Sequence, residues 1–171
     1  DPLYGWCNKN FKKDGSPYNV YSDGLKVFTT IDSRMQKYAE EAVYQHVARY
    51  LQPAFDKENK PKPSSPYSDK LTPQQIRYIL NRSITQSERW RTMKAAGCTP
   101  EEIKEAFRKK IEMTVFTYHG DIDTLMSPLD SIRYYKGFLR SGFMSMDPKT
   151  GAVKAYVGGL DYPHFMYDMV S

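Results

Sequence analysis

Residues 142–159 read GFMSMDPKTGAVKAYVGG, two short apolar segments on either side of Asp147-Pro148-Lys149-Thr150-Gly151. Pro148 presets the φ that opens a turn, and Gly151 supplies the positive φ that closes it. Residues 143–146 and 152–157 are therefore predicted to pair as an antiparallel hairpin. A lone hairpin is marginal in water, so other elements have to cover it.

The natural cover is a long helix over residues 33–51. Asp32 can cap its first turn, and Met35, Ala39, Ala42, Val43, His46, Val47 and Tyr50 recur at three and four residue intervals. His46 lies on this stripe with no second ligand at helical spacing, which makes it a packed or half-buried histidine. Leu25, Val27, Thr29 and Ile31 alternate with Lys26, Phe28 and Thr30, the pattern of a strand at residues 25–31. Residues 1–24, rich in Gly, Pro, Asn and Asp with Tyr4, Trp6, Phe11, Tyr18 and Tyr21, read as an irregular segment pinned by rings.

Residues 53–70, PAFDKENKPKPSSPYSDK, read as a linker. It leads into an inserted helical region, 53–111. Thr72-Pro73-Gln74-Gln75 and Thr99-Pro100-Glu101-Glu102 are capping boxes with proline at the first helical position. Between them a helix starts near Thr85 or Ser87 and stops at Gly97, a left-handed C-terminal residue. Residues 112–118 alternate as a strand closed by a Gly120-Asp121 turn. Ser127-Pro128-Leu129-Asp130 opens a last helix carrying Leu129, Ile132, Tyr135 and Leu139, ended by Gly142. The predicted class is α+β: an antiparallel sheet of the 142–159 hairpin with strands near 25–31 and 112–118, packed on the 33–51 helix. The segments are 1–24, 25–52, 53–111 and 112–171.

Chemistry is sparse in this pattern. Lys149-Thr150-Gly151 matches the K-T-G of serine acyltransferases, but a functional K-T-G lies on a strand edge and this one fills a turn. No S-x-x-K and no S-x-N arrangement accompanies it. His46, His119 and His164 lack G-x-S-x-G or H-E-x-x-H surroundings, and Cys7 and Cys98 lack protease, metal and disulfide-framework spacing. Asp121 and Asp123 could be an acid–base pair or calcium ligands, but no terminal Glu completes a loop, and a turn explains them. Asn81-Arg82-Ser83 is a sequon at a helix end and is discounted.

Twenty-five Lys and Arg against 20 Asp and Glu give +5, with both signs interspersed. Residues 87–110 have a helix-turn-helix outline with Arg89, Arg91, Lys94, Lys104, Arg108, Lys109 and Lys110. Glu101, Glu102 and Glu105 occupy the start of the would-be recognition helix and would repel phosphates, so no nucleic acid is expected. No apolar run approaches the roughly 18 residues of a membrane span, and the start at Asp1 reads as a cut or processed end.

Two stretches resemble the class A penicillin-binding proteins, bifunctional synthases with a glycosyltransferase followed by a transpeptidase. GLKVFTTIDSRMQKYAEEAV, 24–43, looks like the strand and helix that link the domains; GFMSMDPKTGAVKAYVGGLDY, 142–162, looks like the hairpin that opens the transpeptidase sheet. HFMYDMVS, 164–171, is similar to the run shortly before the family's G-S-x-x-K, and 52–141 resembles an insertion seen in synthases of the Bacteroides type. Residues 1–24 resemble the junction after the glycosyltransferase, whose glutamates are absent. The resemblance implies glycan polymerisation and penicillin-sensitive D-Ala-D-Ala transpeptidation for the parent, on the periplasmic face of the inner membrane, behind an N-terminal transmembrane anchor. It carries no catalytic, cofactor-binding or metal-binding residue to any position here. This chain is expected to be non-catalytic, to support and space the parent's domains, and to meet those domains and an envelope regulator. The alternative is a protein- or nucleic-acid-binding helical module at 87–110. A truncated hairpin could also self-associate through its edge.

Overall fold

The structure, a computed structural model, describes residues 2–171, with side chains from Gly5 onward. Asp1 and the ring of Tyr4, part of the expected irregular opening, lie outside the described residues. The chain divides into two compact units at Ile31 and Asp32.

The first unit is less irregular than its composition suggests. Helix α1 (Pro2–Lys9) opens it, and Cys7 is buried at 2% exposure. The helix starts on a proline, whose missing N–H costs nothing in a first turn. The rings of Trp6, on α1, and Tyr18 lie 5.4 Å apart, and Lys12 pairs with Asp23 at 3.1 Å. The expected strand at residues 25–31 is absent. No residue of this stretch lies in a strand, and Phe28 is 92% exposed. Alternation shows that a segment suits a pleated, half-buried surface; it does not supply one.

The second unit holds the hairpin and its cover. Helix α2 (Ser33–His46) is capped by Asp32, whose carboxylate accepts from the Arg34 and Met35 amides. The helix does not end at residue 51. It passes through a π turn (Val47–Leu51) and continues as α3 (Gln52–Asn59). Pro53 is the physical reason. A proline ring clashes with the carbonyl four residues back, and a π turn widens the backbone there, with the Gln52 amide reaching Val47 O. The start of the expected linker is therefore helical, and turns follow from residue 60 onward.

The middle helices are α4 (Pro73–Gln86), α5 (Glu88–Ala95), α6 (Pro100–Arg108) and α7 (Pro128–Lys136). Both capping boxes form, at Thr72 with Gln75 and at Thr99 with Glu102. Gly97 takes φ +86° between α5 and α6. Ile84, Ile103 and Phe107 make the core of these helices, with Trp90, Met93, Leu129 and Ile132 against it. Helix α7 stops at Gly137 rather than Gly142, which frees Phe138 and Leu139 to turn inward.

The class is α+β, but the expected single sheet is two. Strand β1 (Ile111–Val115) pairs antiparallel with β2 (Ile122–Met126), and β3 (Phe143–Met146) with β4 (Val153–Val157). Strand β2 was hidden because Asp121 and Asp123 read as turn residues. Asp123 instead sits opposite Thr114 and accepts its hydroxyl at 2.7 Å, a cross-strand pair that tolerates a polar residue on an exposed face. Among the described residues no helix is long and apolar enough to cross a membrane.

Candidate functional site

The 147–151 turn forms as its residues require. The Asp147 carboxylate accepts from the Lys149 and Thr150 amides at 2.8 and 3.1 Å, and Gly151 takes φ +73°. These bonds hold the Asp147 carboxyl below the usual carboxylate range. Lys149 is exposed in the turn. The K-T-G is turn chemistry.

Helix α2 lies on β4. Ala39 packs against Ala155 and Val157, with Val43 beside them, so two alanines set a close approach of helix and strand. Gln36 fastens the contact: its Oε1 accepts from the Tyr156 amide at 2.7 Å and its Nε2 donates to Tyr156 O at 2.9 Å. The Asp32 amide donates to Lys154 O at 2.9 Å. The outer edge of β4 at Lys154 and Tyr156 is thus occupied from within the chain, which blunts it against pairing with another molecule. The buried side of the helix is narrower than the periodicity suggested. Met35 and Tyr50 are 41% and 66% exposed, and His46 is exposed beside the Tyr50 ring at 5.9 Å, not packed.

Beyond β4 the tail returns across the open end of the hairpin. The Met169 amide donates to Gly158 O at 2.8 Å, and Asp168 accepts from Tyr156 Oη at 2.6 Å and from the Val170 amide at 2.8 Å. A Cβ on Gly142 would stand 2.8 Å from Val170 Cγ2 and 3.0 Å from the Met169 backbone. The glycine at 142 therefore makes room for the tail. Gly142→Ala is expected to speed amide exchange at Met169 and Val170 while leaving the helices unchanged; equal protection in both proteins would refute this.

The hydrogen bond from Tyr156, then that from Val170, lowers the Asp168 carboxyl, and the same bond raises the Tyr156 phenol. A depressed carboxyl stabilises the fold above its unfolded value of about 4 and loses that contribution as pH falls through its folded value. Acidification into that range is expected to release the tail before the helices unfold, read as protease sensitivity near residue 168. Asp168→Asn should remove the acid step.

Helix α2, β4 and the tail border an open groove of about 760 Å³ lined by Glu40, Glu41, Tyr44, Arg49, Tyr156 and Tyr162 among others. No serine, cysteine, histidine or lysine lines it. The groove can hold a ligand by phenol and carboxylate contacts; it carries no acyl-transfer nucleophile.

A cluster of rings joins the end of the long helix to the middle helices. Phe116 meets Tyr118, Phe138, His164 and Phe165 at 5.1–5.5 Å between ring centres. The Arg140 guanidinium lies 3.6 Å over the Phe165 ring. The Tyr44 hydroxyl donates to Tyr118 O, and the Tyr134 hydroxyl donates to Phe116 O at 2.7 Å. Gln52, 6% exposed, anchors the cluster through Gly137 O, Leu139 N and Tyr118 Oη. Burial pushes the Tyr118 hydroxyl up to about 12, so it remains a donor.

The structure brings together one pair of candidates that sequence reasoning kept apart. His164 Nδ1 lies 2.9 Å from Asp161 Oδ1 and its Nε2 3.5 Å from Asp121 Oδ2, with the ring stacked on Tyr135. Asp123 is on β2 and takes no part. The group ties tail to turn, and no set of three His, Cys, Asp or Glu among the described residues is arranged for a metal. His119 is exposed after β1, and both cysteine thiols are free. Asn81 and Ser83 lie within α4, with the Ser83 hydroxyl donated to Ile79 O. Gln52 and Gln36 escaped sequence reasoning, because a glutamine's hydrogen bonds to distant backbone leave no local pattern.

Comparison with curated proteins and with solved structures finds no match. Residues 62–139 match a family model described as the penicillin-binding protein middle domain, which places that likeness on α4 to α7 and the β1–β2 pair.

Proposed function

We propose that this chain is a non-catalytic portion of a class A penicillin-binding protein of the Bacteroides type. The observation that carries the reading is the family match over 62–139, followed by the Asp147–Gly151 hairpin that the family resemblance expects next. The parent polymerises glycan strands and cross-links stem peptides on the periplasmic face of the inner membrane. Within it, residues 1–171 space and support the domains. Gln52, the ring cluster and the Gln36 contact form the load path: they join the long helix to the middle helices on one side and to the hairpin on the other.

The purified chain incubated with a fluorescent penicillin is expected to stay unlabelled, since it has no S-x-x-K serine to acylate. A covalent adduct would overturn the non-catalytic reading. The parent reading frame is expected to continue into Gly-Ser-x-x-Lys shortly after Ser171, and its absence would overturn the family reading.

A further inference from the structure

Charge is not spread evenly over this protein. Residues 73–110 hold nine Lys and Arg against four Glu, while the rest of the chain holds 16 of each sign. The whole net charge of +5 therefore belongs to the segment that forms α4, α5 and α6. All nine basic residues are exposed, and none makes an ion pair among the described residues.

The fold explains why they face water. Trp90 and Met93 turn α5 toward the core, leaving Arg89, Arg91 and Lys94 outside; Ile103 and Phe107 do the same for α6, leaving Lys104 and Arg108. Lys109 and Lys110 extend the run. Of the acidic residues, Glu102 is folded back on Thr99, accepting its amide at 2.7 Å and its hydroxyl at 2.9 Å. Tyr78 stands 66% exposed on α4, a ring of the kind that settles at a lipid–water boundary.

We propose that this basic helical segment docks on an anionic phospholipid surface. The proposal rests on the membrane-face location argued above. Charge complementarity selects an anionic partner, and the arrangement of α6 selects among anions. A nucleic-acid groove would have to accept the α6 N-terminus, where Glu101, Glu102 and Glu105 stand. Lipid headgroups rearrange around scattered cations and need no helix end.

The test is co-sedimentation of the purified chain with phosphatidylcholine vesicles, with and without phosphatidylglycerol. Binding is expected only with phosphatidylglycerol, fading as salt shortens the screening length from about 10 Å at 0.1 M to about 3 Å at 1 M. Charge reversal on α5 (Arg89→Glu, Arg91→Glu, Lys94→Glu) is expected to weaken partitioning at least about tenfold. The same reversal outside the segment (Lys13→Glu, Lys26→Glu, Lys60→Glu) should weaken it far less.

Equal losses in the two triple variants, no binding at low salt, or binding to duplex DNA as tight as to the vesicles would each overturn the proposal. Should the α5 variant lose its helical circular dichroism, the salt and headgroup dependence of the unaltered chain decides. Vesicle binding is read separately from penicillin labelling of the chain and from the parent reading frame beyond Ser171, so either reading can fail without the other.

Discussion

Phe107→Ala is expected to unfold the middle helices. Phe107 and Ile103 are 2% and 0% exposed, and with Ile84 they are the buried centre of α4 to α7. Removing a buried phenyl ring costs about 3–5 kcal/mol, against about 5–15 kcal/mol for a whole domain. Urea unfolding followed through Trp90, with Trp6 replaced by Phe, should show the midpoint falling by about a fifth or more. Tyr78→Ala, on an exposed ring of α4, should move it by no more than about 0.5 kcal/mol. A Phe107→Ala midpoint equal to that of Tyr78→Ala would mean that this cluster does not hold the segment together.

The helix starts around that core were readable in the sequence because each is local. Thr72, Thr99 and Ser127 cap their helices by hydrogen bonds within three residues, and Ile103 and Phe107 are one helical turn apart. Asp32, Asp147 and Gly151 act over equally short distances, and the hairpin formed where expected. The failures share the opposite property. Residues 25–31 alternate like a strand but form none, and strand formation depends on a neighbour's backbone rather than on the segment itself. Strand β2 carries two aspartates, and only the position of Thr114 across the ladder shows why Asp123 is tolerated there. Pro53 opens the stretch read as a linker, and the π turn at Val47–Leu51 lets the helix pass through it.

Of the residues weighed for chemistry, the turn setting of Lys149 was legible in the sequence. The sequence shows that Lys149 has no serine partner motif, and the structure adds that the lysine is exposed in a tight turn. What the chain builds instead is a pair of junctions, Gln36 on the hairpin and Gln52 on the ring cluster. Each glutamine spans more than 80 positions, from 36 to 156 and from 52 to 137 and 139. The proposed spacer role would need such links, since the elements to be joined are far apart in sequence.

Gln52 offers the sharper test. Its Nε2 donates to Gly137 O at 2.9 Å and to Asp56 Oδ1 at 2.8 Å, and its Oε1 accepts from the Leu139 amide at 2.9 Å. Gln52→Leu keeps the bulk and strands the Gly137 carbonyl and the Leu139 amide, each worth about 1–3 kcal/mol when left without a partner. A loss of about 2–5 kcal/mol is expected, read as thermal unfolding. Gln52→Glu separates hydrogen bonding from packing. Its carboxylate can still accept from Leu139 and Tyr118 but cannot donate to Gly137, and it adds a charge beside Asp56. Burial and that neighbour would raise the new carboxyl above the usual value of about 4.3, so its penalty is present above that value and relaxes as pH falls. Gln52→Glu should therefore gain stability relative to the parent protein on mild acidification, while Gln52→Leu should show no such gain. If the two variants respond to pH alike, the junction is held by packing alone and the hydrogen bonds of Gln52 contribute nothing to it.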